Sequence, residues 1–167
     1  KKTAYLLLNF AIKRIAEIFG IIIFSAGILL IISLISYSPE DPNFIFPSNT
    51  KIINLLGFQG AFISDLFFQS VGLMAYLISL TLTITGINIF RNKEFFLIIE
   101  NIFFSIIYIL LGSIFLNHFY GNNYLLHING NGGFVGSYLD KTFLYSLVQI
   151  NDTIAYYILI LLIIIFF

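Results

Sequence analysis

The sequence lacks cysteine and tryptophan, and only 10% of its 167 residues are charged, with a formal net charge of zero. Without cysteine there can be no disulfides, thiolate metal sites or cysteine nucleophiles. A soluble domain carries about 25% charged residues, so this chain has too few charges to cover a globular surface. It also has no basic cluster, which argues against direct nucleic-acid binding by this segment.

Apolar residues are abundant instead, at 59% of the chain, with a mean hydropathy of +1.00. A spanning helix needs about 20 mostly apolar residues, because the hydrocarbon core is about 30 Å thick and a helix rises about 1.5 Å per residue. Four runs predict transmembrane helices at about residues 15–37, 64–90, 95–117 and 151–167. The predicted fold class is an all-α membrane protein, with residues 1–167 forming a single four-helix domain.

The last apolar run is still unbroken at Phe167, where it is too short for a full crossing. Residue 1 is lysine rather than methionine. We therefore expect the chain to be a piece of a longer protein.

The placement of lysine and arginine predicts the orientation. Basic residues concentrate in cytoplasmic segments of membrane proteins. The predicted helices place six of the eight basic residues on one side, either before the first helix or between the second and third: Lys1, Lys2, Lys13, Arg14, Arg91 and Lys93. Both chain ends are therefore predicted to be cytoplasmic, and the two outer loops are expected to contain short re-entrant or interfacial helices.

Small residues predict which helix lies inside the bundle. Close helix packing in lipid depends on small side chains that let backbones approach. At spacings of three and four, one face of the second helix carries Gly72, Ala75, Ser79, Thr83 and Gly86. We expect this helix at the centre.

The sequence shows no site for chemistry. The glycine-rich segment 130–136 lacks the Lys-Ser/Thr ending of a phosphate-binding P-loop. His118 and His127 have no thiolate or carboxylate close in sequence, so we expect interface histidines rather than metal ligands. We predict that this segment is not an enzyme and binds no cofactor.

Glu100 is the one acid that could mark an ion path, because charges inside a membrane are functional candidates. It lies in the first turns of the third helix, where the helix dipole favours a carboxylate. We expect a structural role, with Arg91 and Lys93 compensating its charge.

Three sequence elements carry a family resemblance. Residues 36–42 read S-Y-S-P-E-D-P, residues 54–61 read N-L-L-G-F-Q-G-A, and residues 132–136 read G-G-F-V-G. In this order, they resemble the four-helix N-terminal membrane region of the FtsK/SpoIIIE family of DNA translocases. One departure is Asn151-Asp152-Thr153, where a glycine-containing turn is expected. The structural or interaction candidates are Pro39, Asp41, Pro42, Gly57, Gly60, Asp65, Gly72, Gly132, Gly133 and Gly136.

The resemblance implies a membrane anchor and oligomerisation domain of a septal DNA translocase, acting in cell division and chromosome segregation at the bacterial inner membrane. It implies a motor downstream that uses ATP and Mg²⁺ and works as a hexamer. The implied partners are membrane lipid, further copies of the chain and division-septum proteins, with DNA met only through the motor. The alternative is a stand-alone four-helix scaffold or small carrier.

We further expect the Pro39–Pro42 turn and the Gly132–Gly136 loop to pack together outside the membrane and to orient the bundle. Gly133→Val should then lower septal recruitment or the melting temperature of the domain. Fluorescence microscopy of a tagged chain and thermal unfolding measure the two effects, and no change in either would contradict the expectation.

Overall fold

The structure is a computed structural model that describes residues 2–42, 51–121, 129–139, 141–142, 146 and 151–167, with side chains from residue 5 onward. Every regular element within these ranges is helical. The elements are α1 (Lys2–Ile35), α2 (Gly57–Val71), a 3₁₀ turn (Gly72–Met74), α3 (Ala75–Asn92), α4 (Phe96–Tyr120), α5 (Gly133–Leu139) and α6 (Asp152–Phe166).

Within the described ranges, three helical stretches are long and apolar enough to cross a membrane, and α6 is a shorter apolar helix. They agree with the predicted all-α membrane fold. The starts of two helices and the continuity of one differ from the prediction. α1 begins at Lys2 rather than near residue 15. The predicted helix 64–90 begins at Gly57 instead and is two helices, separated at Gly72–Met74. The separation occurs because Gly72 has φ +62°, outside the right-handed helical region.

The helices α1, α3, α4 and α6 form a row in which each contacts the next. α3 lies between α1 and α4, as its stripe of small residues predicts. At the α1–α3 contact the backbones approach so closely that a Cβ on Gly20 would lie 2.7 Å from the Phe90 nitrogen. A Cβ on Gly86 would lie 2.7 Å from the Gly20 carbonyl oxygen. Only glycine permits this separation.

Polar side chains and rings join the rest of the row. Between α3 and α4, the Thr85 hydroxyl accepts from Asn101 at 2.7 Å, and the hydroxyls of Thr81 and Tyr108 are 2.7 Å apart. Between α4 and α6, the rings of Phe115 and Tyr156 pack with their centroids 5.2 Å apart. At another level, Phe104 of α4 stacks on Phe166 of α6, and Gly27 of α1 lies against Thr83 of α3. In each pair, later residues of one helix meet earlier residues of the other, so neighbouring helices in the row are antiparallel.

The row therefore has two ends. The basic end contains Arg14 and Lys93, both paired with Glu17, and the Lys93 nitrogen lies 2.7 Å from the carboxylate. The junction end contains the end of α1 and the start of α3, where the Tyr76 hydroxyl donates to the Leu34 carbonyl at 3.3 Å.

α2 runs across the junction end rather than continuing the line of α3. Gly60 in α2 and Tyr76 in α3 contact adjacent residues of α1, Ser33 and Leu34. A straight helix would separate residues 60 and 76 by about 24 Å along its axis. The chain therefore turns at Gly72, and α2 lies over the ends of α1 and α3, where Leu34 and Phe68 share a buried apolar cluster.

Candidate functional site at the junction end

The first polar contact at the junction end joins the proline turn to the chain that precedes α2. Asp41 is only 5% exposed. One of its carboxylate oxygens accepts the Ile53 N–H at 2.7 Å, and the other accepts the Asn54 N–H at 2.9 Å. Both donors are backbone groups, so a buried carboxylate here fixes the path of the chain rather than binding a ligand.

Asn54, which is 4% exposed, extends this contact to α1. Its side-chain nitrogen donates to the Ser33 carbonyl at 2.9 Å and to the Ser36 carbonyl at 3.3 Å. Its side-chain oxygen accepts the Leu56 N–H at 3.0 Å. The carbonyls at a helix C-terminus have no partner within the helix, and Asn54 supplies one from the chain leading into α2.

Two glycines follow in this part of the site. Gly57 begins α2 with φ +66°, a left-handed conformation that glycine adopts without strain. Gly60 is buried, and its carbonyl accepts the Ser33 hydroxyl at 2.7 Å. A Cβ on Gly60 would collide with the Asn54 side-chain oxygen and lie 2.6 Å from the Leu56 Cβ, so a larger residue would push α2 away from Asn54.

Asp65 makes the next contact between α2 and the end of α1. Its carboxylate accepts the Tyr37 hydroxyl at 3.3 Å, and the Tyr37 ring packs edge-on against Phe68 at 4.9 Å between centroids. Burial, together with the Asp65 charge, raises the pKa of Tyr37 to about 12. The phenol therefore remains neutral and donates to the carboxylate at physiological pH.

The second polar contact lies where Gly72 meets the glycine-rich element before α5. The Leu73 N–H donates to the Asn131 carbonyl at 2.9 Å. Gly72 and Gly133 have φ +62° and +63°, and a Cβ on Gly133 would lie 2.7 Å from the Val71 nitrogen. The two backbone segments cross in direct contact, which gives the physical reason for expecting damage from Gly133→Val.

Gly132 and Gly136 pack the same element against α4. A Cβ on Gly132 would lie 2.5 Å from the Ser113 carbonyl oxygen, and a Cβ on Gly136 would lie 2.6 Å from it. The Gly136 N–H donates to the Gly132 carbonyl at 3.0 Å. α5 therefore lies directly on the backbone of α4.

The proline turn and the glycine-rich loop do not have each other as their main partners, contrary to the expectation from sequence. Pro42 is buried and Pro39 is exposed. The turn they bracket is bonded to the chain just before α2, whereas Gly133 contacts the chain just after it. Fifteen residues of α2 set these contacts about 22 Å apart. α2 itself therefore connects the two elements.

Sequence reasoning did not single out three asparagines as site residues. Asn54 is the first residue of the N-L-L-G-F-Q-G-A element. Asn129 donates to the Gln69 carbonyl at 3.1 Å, and Asn131 donates to the Tyr120 carbonyl at 3.0 Å. The one available signal was position, because Asn129 and Asn131 directly precede glycines and Asn54 lies three residues before Gly57.

The charged groups considered from sequence pair differently than expected. Lys93 contacts Glu17 rather than compensating Glu100, which is exposed. His118 does have a nearby carboxylate, since its Nε2 lies 3.2 Å from an oxygen of Asp152. That contact joins residues 34 positions apart and was not visible in the sequence. His127 lies outside the described residues.

ATP binding requires a phosphate-binding loop, and Mg²⁺ requires a group of oxygen ligands. In the part of the chain that the structure describes, no three His, Cys, Asp or Glu side chains are close enough to hold a metal ion. The sequence contains no G-x-x-x-x-G-K-[ST] segment. The polar contacts of the site join groups of the chain to one another.

The predicted start of the last helix is present in the structure. The Asn151 side chain accepts the Ile154 N–H at 3.1 Å, which caps α6. Asn151 is therefore the N-cap of α6, at the position where the family pattern led us to expect a glycine-containing turn.

The fold and the site thus define a polytopic membrane domain whose polar residues organise helix ends. Residues 12–167 match the family described as the 4TM region of DNA translocase FtsK/SpoIIIE, and the chain belongs to that family.

Curated relatives agree. The DNA translocase FtsK of Rickettsia typhi is 32% identical over 93 residues, which are 56% of this chain and 12% of that protein. That of Rickettsia bellii is 37% identical over 78 residues, 47% of this chain and 10% of that protein. That of Azospirillum brasilense is 33% identical over 87 residues, 51% of this chain and 14% of that protein. The chain thus spans 10% to 14% of these relatives. No solved structure matches.

Asp41→Asn should lower the free energy of unfolding by about 1–3 kcal/mol, because one of the two buried N–H donors would face an amide N–H₂ instead of an oxygen. Denaturant titration in detergent micelles measures the change. Glu40→Gln is the matched control, since it removes one negative charge at the adjacent, exposed position. Equal effects of the two variants would contradict this role for Asp41.

The raised pKa of Tyr37 predicts a loss of stability in alkali. The folded protein holds the phenolic proton more tightly than the unfolded chain, whose tyrosine has the ordinary value of 10.0. The stabilisation is therefore complete below pH 10 and is lost as pH rises towards 12. Tyr37→Phe should show a smaller decline in unfolding free energy between pH 10 and 12. Tyr138→Phe, an exposed position at the same end, should decline as the unaltered chain does.

Proposed function

We propose that this domain anchors an ATP-driven DNA translocase in the bacterial inner membrane at the division septum, where it associates with further copies of itself and with division proteins. The observation that carries the proposal is the family match over residues 12–167. The relatives' names describe proteins that move DNA, and this chain corresponds to a small part of each. Its own contribution is mechanical rather than catalytic.

The charge distribution supports a motor on the cytoplasmic side. Glu17 pairs with both Arg14 and Lys93, which brings the two basic segments together at one end of the row. α6 runs towards the same end, since its last residue, Phe166, stacks on Phe104 in the half of α4 nearer that end. With the basic end in the cytoplasm, a motor joined after α6 would meet DNA there. ATP and Mg²⁺ would bind to that motor.

The junction end then faces the outer side of the membrane, with α2 and α5 at the interface. The hydrogen bonds of Asp41, Asn54 and Asn131 hold these short helices across the ends of α1, α3 and α4. Because the contacts are short and buried, they present a defined surface to further copies or to septal proteins. This is how an anchor with no catalytic groups could contribute to assembly.

The function is tested with the protein encoded by the native gene. The transcript should continue in frame beyond Phe167 into G-x-x-x-x-G-K-[ST], and the tagged product should concentrate at septa. A stop codon soon after Phe167 together with uniform envelope fluorescence would contradict the proposal. Purified chain in liposomes should conduct no solute flux; substrate-dependent flux would favour the alternative of a small carrier.

A further inference from the structure

From residue 5 onward, the first turns of α1 are mostly apolar and are exposed in the structure. Residues 5–15 are all exposed, and Ala16 is the first buried residue of the helix. Large apolar side chains in this stretch are exposed by 44% to 69%: Tyr5, Leu6, Leu7, Leu8, Phe10 and Ile12. A soluble surface would not carry such a stretch unless something covered it.

α1 is too long for all of it to cross the membrane. Counting from Ser36 at the junction end, about 20 residues, or about 30 Å of helix, reach Ala16. At that level lie Arg14 and Glu17, and the ion pairs of Glu17 with Arg14 and Lys93 belong at the headgroups rather than in hydrocarbon. Fitting all of Tyr5–Ile35 into the core would need a tilt of about 50°, outside the usual range of about 0–40°.

The sequence of this extension suits the membrane surface. Positions 2, 9 and 13 are Lys, Asn and Lys, and spacings of seven and four place them on one stripe of the helix. All the other positions from 4 to 12 are apolar. Lys13 and Arg14 are exposed, and the Arg14 guanidinium lies 5.0 Å from the centre of the Phe10 ring. A helix with basic residues along one edge and apolar residues on the other face binds in the plane of an anionic bilayer.

We propose that residues 2–12 of α1 leave the transmembrane segment and lie flat on the membrane surface at the basic end. Their apolar face enters the acyl-chain boundary, and Lys13, directly after them, contacts the phosphates of anionic phospholipids. The break falls between Lys13 and Ala16, where buried contacts begin. The break frees a few backbone N–H and C=O groups, which hydrogen-bond to water and headgroups. The large apolar side chains that lie off the stripe of positions 2, 9 and 13 leave water.

The absence of cysteine allows a direct test on the full chain. Leu7→Cys and Asn9→Cys lie on opposite faces of the extension and are spin-labelled in vesicles of zwitterionic lipid with or without phosphatidylglycerol. Collision rates with oxygen and with a water-soluble nickel chelate report depth. Ile21→Cys, on the exposed side of the transmembrane segment, is the bilayer reference, and Lys51→Cys, in an exposed loop, is the water reference.

With phosphatidylglycerol present, the label at residue 7 should resemble the bilayer reference and the label at residue 9 the water reference. Lys13→Gln should reduce the ratio of membrane-bound to free extension roughly fivefold, whereas Lys51→Gln, the same change at the junction end, should leave it unaltered. Two results would overturn the proposal. In the first, both labels remain in water in either lipid. In the second, spin–spin broadening rises with protein density whatever the lipid charge, which would mean that a second copy of the chain covers the extension.

Discussion

The arrangement of the helices depends on the hydrogen bonds that Asp41 and Asn54 make at the end of α1. Lipid is as apolar as the helix surfaces, so exposed leucine and isoleucine supply no drive for one helix to choose another. Direction must come from groups that are costly to leave unpaired. Asp41 binds two backbone donors, and Asn54 binds the Ser33 and Ser36 carbonyls. Together they place the start of α2 on the end of α1.

α2 carries that constraint across the domain. Its first turn is held by Asn54, its middle by the Tyr37–Asp65 contact, and its end by the crossing of Gly72 with Gly133. Gly132 and Gly136 rest on α4. A disturbance at either end of α2 therefore reaches three of the four helices in the row, namely α1, α3 and α4. The glycines and the polar residues therefore act on one connected structure. The close α1–α3 contact at Gly20 and Gly86 continues it towards the basic end.

Much of the fold could be predicted because its causes are local. Runs of apolar residues predicted the membrane helices, and the small residues of α3 predicted its place between α1 and α4. The break at Gly72 was not predicted, since glycine in an apolar run reads equally as a packing residue and as a turn. The contacts of Asn54 with α1 and of His118 with Asp152 join distant parts of the chain, and no spacing rule reveals them. The prediction that the proline turn packs against the glycine-rich loop was wrong for the same reason, since the bonds of Asp41 to Ile53 and Asn54 follow no spacing rule.

Amide hydrogen exchange of the domain in nanodiscs tests the central claim, that the junction end is a hydrogen-bonded structure rather than a set of loose loops. The N–H groups of Ile53 and Asn54 donate to Asp41, and that of Leu73 donates to Asn131. We expect all three to exchange slowly, and the first two to lose protection in an Asp41→Ala variant. Exchange as fast as in an unstructured peptide would contradict the account.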